Sequence, residues 1–165
     1  MRIDFDQMPD HSRIWIYQAD RELTEMESTQ INQLTANFLE EWTAHGSSLR
    51  SSSKIFYNRF LVLTVDEDHA QASGCSIDTA FKFVRYLESE FNVAFMDRTN
   101  VALLEKSPSA DRVKTVKLSD LKGLVDANEL KEDTLVFDNL VDHIGQFKNE
   151  WITPASNTWL KKYFA

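Results

Sequence analysis

Cysteine is nearly missing from this sequence. A single residue, Cys75, precludes an internal disulfide and removes any framework of paired cysteines, which suits a reducing compartment. Long apolar runs are missing too: the longest clean one, residues 60–65, is far short of the roughly 20 residues that a membrane-spanning helix needs. The first six residues, Met1-Arg2-Ile3-Asp4-Phe5-Asp6, carry acids where a signal peptide would carry an apolar stretch. A cytosolic chain without a membrane span is the expectation. Glycine is scarce, and Gly46, Gly74, Gly123 and Gly145 stand alone. None forms the G-x-x-x-x-G-K-[ST] loop whose backbone amides and lysine hold nucleotide phosphates. ATP hydrolysis by that mechanism is excluded. The sequence also holds no internal repeats and no low-complexity segments.

Basic residues are outnumbered, 18 against 26 acids, for a net charge of −8. Proteins that live on a phosphate backbone are usually basic, because neutralising phosphates releases counterions and supplies most of the affinity. Nucleic acid is therefore not an expected partner. Two stretches run against the global sign. Residues 50–59 hold Arg50, Lys54 and Arg59 without an acid, and residues 112–117 read Arg-Val-Lys-Thr-Val-Lys, an alternation that resembles the solvated face of a strand.

What is present is an ordinary globular composition, 42% apolar and 27% charged over 165 residues, enough for one domain or two very small ones. Residues 12–19 are rich in β-branched and aromatic side chains and predict a strand. Thr24 and Glu27 form a capping-box pattern. The helix it opens has Ile31, Leu34, Phe38 and Trp42 on one stripe, and His45-Gly46 is expected to close it. Residues 46–53 predict a serine-rich loop. Residues 54–57 and 60–65 predict two strands, with Asn58-Arg59 as the turn between them. Ser76 is expected to cap a second helix that carries Ile77, Phe81, Val84, Leu87 and Phe91 on one face and stops at Asn92.

Residues 93–97 and 101–105 are further short extended candidates. Strand, helix, two strands, helix, strand is the ferredoxin-like βαββαβ order, so the expected class is α+β. A second unit begins near Thr99. In it, residues 112–117 predict a strand, Ser119 a cap for a short helix holding Leu121, Leu124 and Val125, and residues 134–137 another strand. Residues 138–150 are expected to be irregular or to hold a short helical turn. The tail is aromatic, with Trp151, Trp159, Tyr163 and Phe164. The expected domains are residues 1–98 and 99–165.

Two resemblances accompany these patterns. Over Arg13-Ile14-Trp15-Ile16-Tyr17-Gln18, Trp42-Thr43-Ala44-His45-Gly46, Asn58-Arg59-Phe60-Leu61-Val62-Leu63 and Ala72-Ser73-Gly74-Cys75-Ser76-Ile77-Asp78, the chain resembles a family of short uncharacterised bacterial proteins often labelled "ABC transporter ATPase". The likeness covers most of the chain, although the sequence lacks the nucleotide-binding motif that the label requires. Residues 118–122, 130–136 and 151–155 are similar to the bacterial variant of the GYF domain, a small peptide-binding module. That resemblance implies a β-rich C-terminal unit and a protein or peptide partner bound through it. Where such modules have a Gly-Pro-aromatic entry to the helix, this chain has Thr115-Val116-Lys117. The aromatic groove that grips a polyproline helix is thus not reproduced.

Candidate chemistry centres on Gly74-Cys75-Ser76-Ile77-Asp78. A cysteine at a helix N-terminus feels the positive end of the dipole, which favours thiolate. With His69 just before it and Asp66 or Asp68 to orient the imidazole, Cys75 would complete a nucleophilic site. The plain alternative is a tight turn at Gly74, a cap at Ser76, a dipole-complementing Asp78 and a small buried Cys75. The same helix start offers backbone amides to an anion, with Arg50, Lys54 or Arg59 as candidate partners. Asp66-Glu67-Asp68-His69 is expected to be a solvated acidic loop, with no metal site and no cofactor implied. The function expected from the sequence is a non-enzymatic binding or interaction protein with an anion or peptide site, the alternative being a small thiol-dependent enzyme using Cys75.

Overall fold

The computed structural model of the chain describes all residues from Met1 to Ala165 and has a mixed α+β fold. It divides into two compact units, Met1–Met96 with Asp142–Gln146, and Asp97–Val141 with Phe147–Ala165. No helix is long and apolar enough to cross a membrane.

The first unit holds β1 (Arg13–Gln18), α1 (Glu25–Glu41), the short β2 (Thr43–Ala44) and β3 (Ser47–Ser48), β4 (Ser51–Phe56), β5 (Phe60–Val65) and α2 (Gly74–Phe91). Its main sheet has the order β1-β5-β4, with β5 antiparallel to both neighbours. β5 reads Phe-Leu-Val-Leu-Thr-Val and is buried along its whole length, as a central strand covered on both faces should be. One face carries Leu61, Leu63 and Val65 into a core with Ile31 and Leu39 of α1 and Ala80, Val84 and Leu87 of α2.

Local chemistry sets the element ends. Thr24 and Glu27 close the capping box of α1 that the sequence announces. The hairpin between β4 and β5 turns through Tyr57 and Asn58, both with positive φ, and Asn58 is one of the few non-glycine residue types that adopt that region readily. Asn92, also at positive φ, ends α2 as expected.

Several expectations fail for identifiable reasons. His45-Gly46 does not cap α1, which stops at Glu41 with Trp42 as its C-cap. Instead the pair, with φ of 50° and 79°, forms the turn of the small β2–β3 hairpin, since two successive left-handed residues fit a two-residue hairpin loop. The serine-rich segment is not all loop, because Ser51 and Ser52 begin β4 and are buried. The N-cap of α2 is Ser73, while Ser76 is the reciprocal partner three residues on. The buried stripe of α2 is Ser76, Ala80, Val84 and Leu87, and Phe81 is 44% exposed. Residues 93–97 form no strand. Their backbone is held by Glu88, which accepts from the amides of Phe95 and Met96 at 2.7 and 3.3 Å, and by Asp20, which exchanges bonds with Ala94. The outer edge of β1, where a fourth strand would lie, is instead bridged by His143 opposite Arg13.

The second unit holds β6 (Asn100–Glu105), β7 (Arg112–Lys117), α3 (Leu121–Asp126), β8 (Leu135–Phe137), α4 (Ile144–Glu150, whose later residues belong here) and β9 (Ile152–Pro154). Its sheet has the order β7-β6-β8-β9. The core joins Val101 and Leu103 of β6 to Leu121, Leu130, Val136, Ala155 and Leu160, with Val116 and Leu124 packed against them. Ser119 does not cap α3. It lies in a 3-10 turn, Leu118–Asp120, that leads into the helix.

Candidate functional site

The start of α2 is assembled as a structural device. Ser73 Oγ accepts from the amide of Ser76 at 3.1 Å, and Ser76 Oγ accepts from the amide of Ser73 at 2.7 Å. Ser76 is 2% exposed, and its carbonyl accepts from Trp42 Nε1 at 2.9 Å. Gly74 is exposed, and Cys75 is exposed rather than buried as a small apolar residue. Asp78 lies on the surface, 3.0 Å from Lys82 one turn on.

Of the three cations expected beside this helix start, Arg50 lies 3.8 Å from Asp66, and the other two sit elsewhere. Arg59 is 9% exposed and donates to the carbonyl oxygens of Ala19 and Asp20 at 3.3 and 3.2 Å. Burial pulls its guanidinium below the ordinary arginine value, against the opposing pull of Glu22 and Asp20. Arg59 follows Asn58, which accepts from Ser28 and donates to Glu25 at the N-terminal end of α1. Cys75 lies beyond Trp42, at the C-terminal end of the same helix. Seventeen residues at about 1.5 Å each separate those ends by about 25 Å. Lys54 Nζ lies 5.4 Å from the Phe56 ring centre and 4.0 Å from Asp6.

Asp66 and His69 occupy the loop after β5. His69 is exposed, and its amide donates to Asp66 O. The imidazole beside Asp66 is that of His11, 3.3 Å from Asp66 Oδ1 and 2.9 Å from Asp68 Oδ2. The Asp66 carboxylate is only 8% exposed. It also accepts from the amide of Asp68 at 3.1 Å and lies 3.8 Å from Arg50 Nε. One donor atom from each of His11, Asp66 and Asp68 lies within 4.8 Å of the others, but the hydrogen bonds among these groups explain that spacing. His11 escapes a reading of the sequence because 55 residues separate it from Asp66. The only signal for it is the β1–β5 register, in which Arg13 faces Val65.

A different kind of site lies in the second unit. Between β7 and α3 runs a groove of about 510 Å³, lined by Lys114, Thr115, Val116 and Lys117 from the strand and by Ser119, Asp120, Gly123 and Leu124. Nothing lies within 4 Å of the place where a Cβ on Gly123 would stand. Val116 and Leu124 are partly buried in the core beneath, while lysines, a serine and an aspartate surround them. The basic alternation of residues 112–117 and the short helix holding Leu121, Leu124 and Val125 were both legible in the sequence, but the groove between them was not.

No protein-family model, no curated protein and no solved structure matches the chain.

Proposed function

We propose that this chain is a non-enzymatic binding protein whose C-terminal unit takes a peptide or protein segment in the groove between β7 and α3. The observation that carries the reading is the groove itself. An apolar floor from Val116 and Leu124, a polar rim and an open wall at Gly123 are what a peptide site requires, since burial supplies affinity and the rim fixes orientation. On this reading the first unit is a ferredoxin-like scaffold without its last strand, the second is a GYF-like module, and the protein acts in the cytosol.

The test uses the full chain, isotope-labelled for amide NMR and titrated with acidic, basic and proline-rich synthetic peptides. At least one peptide should shift amides within residues 112–124. Gly123→Phe, which projects a ring into the open wall, should weaken that binding at least tenfold without lowering the thermal midpoint. If no peptide at millimolar concentration perturbs those residues, the reading is wrong.

A further inference from the structure

The hydrogen bonds that join His11, Asp66 and Asp68 account for the spacing of those three groups. They do not account for Ser12. Its side chain is fully buried, and its Oγ has no hydrogen-bond partner. An unpaired buried hydroxyl is destabilising, and in a native fold it calls for a water or an ion to complete it. The β1–β5 register places this one. Arg13 pairs with Val65, so Ser12 comes next across from Asp66. The carbonyl of Ser12 and the amide of Ile14 both turn away from β5, to Ile144 and Asp142, which is the alternation of an extended backbone. Side chains opposite each other on paired strands share a face, with Cβ atoms about 4.5–5.5 Å apart. Ser12 Oγ therefore faces the buried Asp66 carboxylate from within the fold yet makes no bond to it, which leaves room for an atom between them.

We infer that His11 Nε2, Asp66 Oδ1 and Asp68 Oδ2, with Ser12 Oγ behind them, form a binding site for a divalent zinc ion. This site belongs to the first unit and is independent of the peptide groove. A water would satisfy the Ser12 hydroxyl alone, whereas an ion also uses the two carboxylates and the imidazole gathered beside it. Atoms bound tetrahedrally to one zinc at about 2.0–2.2 Å lie about 3.4 Å from one another. His11 Nε2 is 3.3 Å from Asp66 Oδ1 and 2.9 Å from Asp68 Oδ2, and all three lie within 4.8 Å of one another. Small side-chain shifts then admit the ion. Two carboxylates and a neutral imidazole balance a divalent charge, and the imidazole favours zinc over calcium or magnesium, which prefer oxygen donors throughout. The buried Asp66 is the fixed ligand, while the exposed His11 and Asp68 open the way from solvent. Arg50 Nε lies 3.8 Å from Asp66 Oδ2, so the guanidinium stays with that oxygen and Oδ1 takes the ion.

The experiment is isothermal titration calorimetry of the metal-free full chain with zinc chloride, run beside thermal unfolding in zinc, calcium or magnesium. Zinc should bind at one site per chain and raise the thermal midpoint, as any ligand of the folded state alone does. His11→Gln and Asp68→Asn, both at exposed positions, should each weaken zinc binding at least tenfold. Their metal-free midpoints should stay within about 2 °C of the parent. Ser12→Ala should also weaken zinc at least tenfold without lowering the metal-free midpoint, because it removes a hydroxyl that has no partner. A purely structural Ser12 would leave the zinc affinity unmoved. The inference is overturned if zinc fails to bind, in which case a water completes Ser12. It is overturned equally if His11→Gln or Ser12→Ala binds zinc as well as the parent, the first of which would move the site to another histidine, such as His143 beside Asp142. Calcium or magnesium raising the midpoint as much as zinc would also overturn it, since the imidazole would then not be a ligand.

Discussion

Arg21 and Glu27 meet through two parallel hydrogen bonds of 2.8 Å, Nη1 to Oε1 and Nη2 to Oε2. The same carboxylate accepts from the amide of Thr24 at 2.9 Å to close the capping box of α1. Arg21 Nη2 also donates to the carbonyl of Phe91 at 2.8 Å. One ion pair therefore ties the N-terminal end of α1 to the C-terminal end of α2.

This pair makes stability depend on acid. The Arg21 hydrogen bonds first, then the Thr24 amide, pull the Glu27 carboxyl down from 4.5 to about 2. The folded value lies below the unfolded one, so the contribution is complete above about pH 4.5 and is lost as the pH falls from there toward 2. Arg21 is 39% and Glu27 20% exposed, so solvent screening limits the pair to about 1 kcal/mol. Glu27→Gln should lose about that much at pH 7 by urea unfolding, and its deficit should vanish near pH 2. A deficit that persists unchanged into acid would show that the charge is not what matters.

Trp42 gives a second prediction. Its indole is 2% exposed, packs 5.5 Å from Phe38 and 6.1 Å from Trp15 between ring centres, and donates to Ser76 O. Trp42→Phe keeps much of the apolar volume but removes the indole bond to a carbonyl that remains in the hydrogen-bond ladder of α2, at a cost of about 1 kcal/mol. Trp42→Ala also opens a cavity and should cost about 3–5 kcal/mol. Chemical unfolding of the three proteins checks the order.

Much of this fold was legible wherever a local pattern sets the outcome. Thr24 with Glu27, Asn58 at a turn, Asn92 at a helix end and the basic alternation of β7 are short-range signals, and each appears where the residues imply. The misses are tertiary. Ser51 and Ser52 look like loop residues, yet pairing with Val65 and Thr64 makes them strand. Residues 93–97 look extended, but Glu88 and Asp20 capture their amides before a ladder can form. The expected Cys75 constellation drew on residues close in sequence or alike in charge. The pairing of β1 with β5 instead gives Asp66 the distant His11.

The two carboxylates around His11 should behave very differently. Asp66 is 8% exposed and engages His11, Arg50 and the Asp68 amide, whereas Asp68 is 78% exposed. Asp66→Ala strips several polar groups of a buried acceptor at once and should cost about 1–3 kcal/mol. Asp68→Ala removes only a surface ion pair and should fall within about 0.5 kcal/mol of the parent. Equal effects in thermal unfolding would mean that the buried carboxylate is not the organising member.

Thr64 reverses the usual sign. It is fully buried in the central strand β5, between Ile14 and Ser52, and its Oγ1 has no hydrogen-bond partner. A buried hydroxyl without a partner costs about 1–3 kcal/mol, and replacing it by a methyl of the same shape removes that cost. Valine is also β-branched and suits a strand, so Thr64→Val should stabilise the protein by about 1 kcal/mol. Thr64→Ser keeps the hydroxyl, deletes the methyl and should destabilise by about 1 kcal/mol. Opposite signs from two changes at one position separate hydroxyl burial from lost packing. If Thr64→Val instead destabilises, the hydroxyl makes a bond in solution, and a buried water is the group of the right size to supply it.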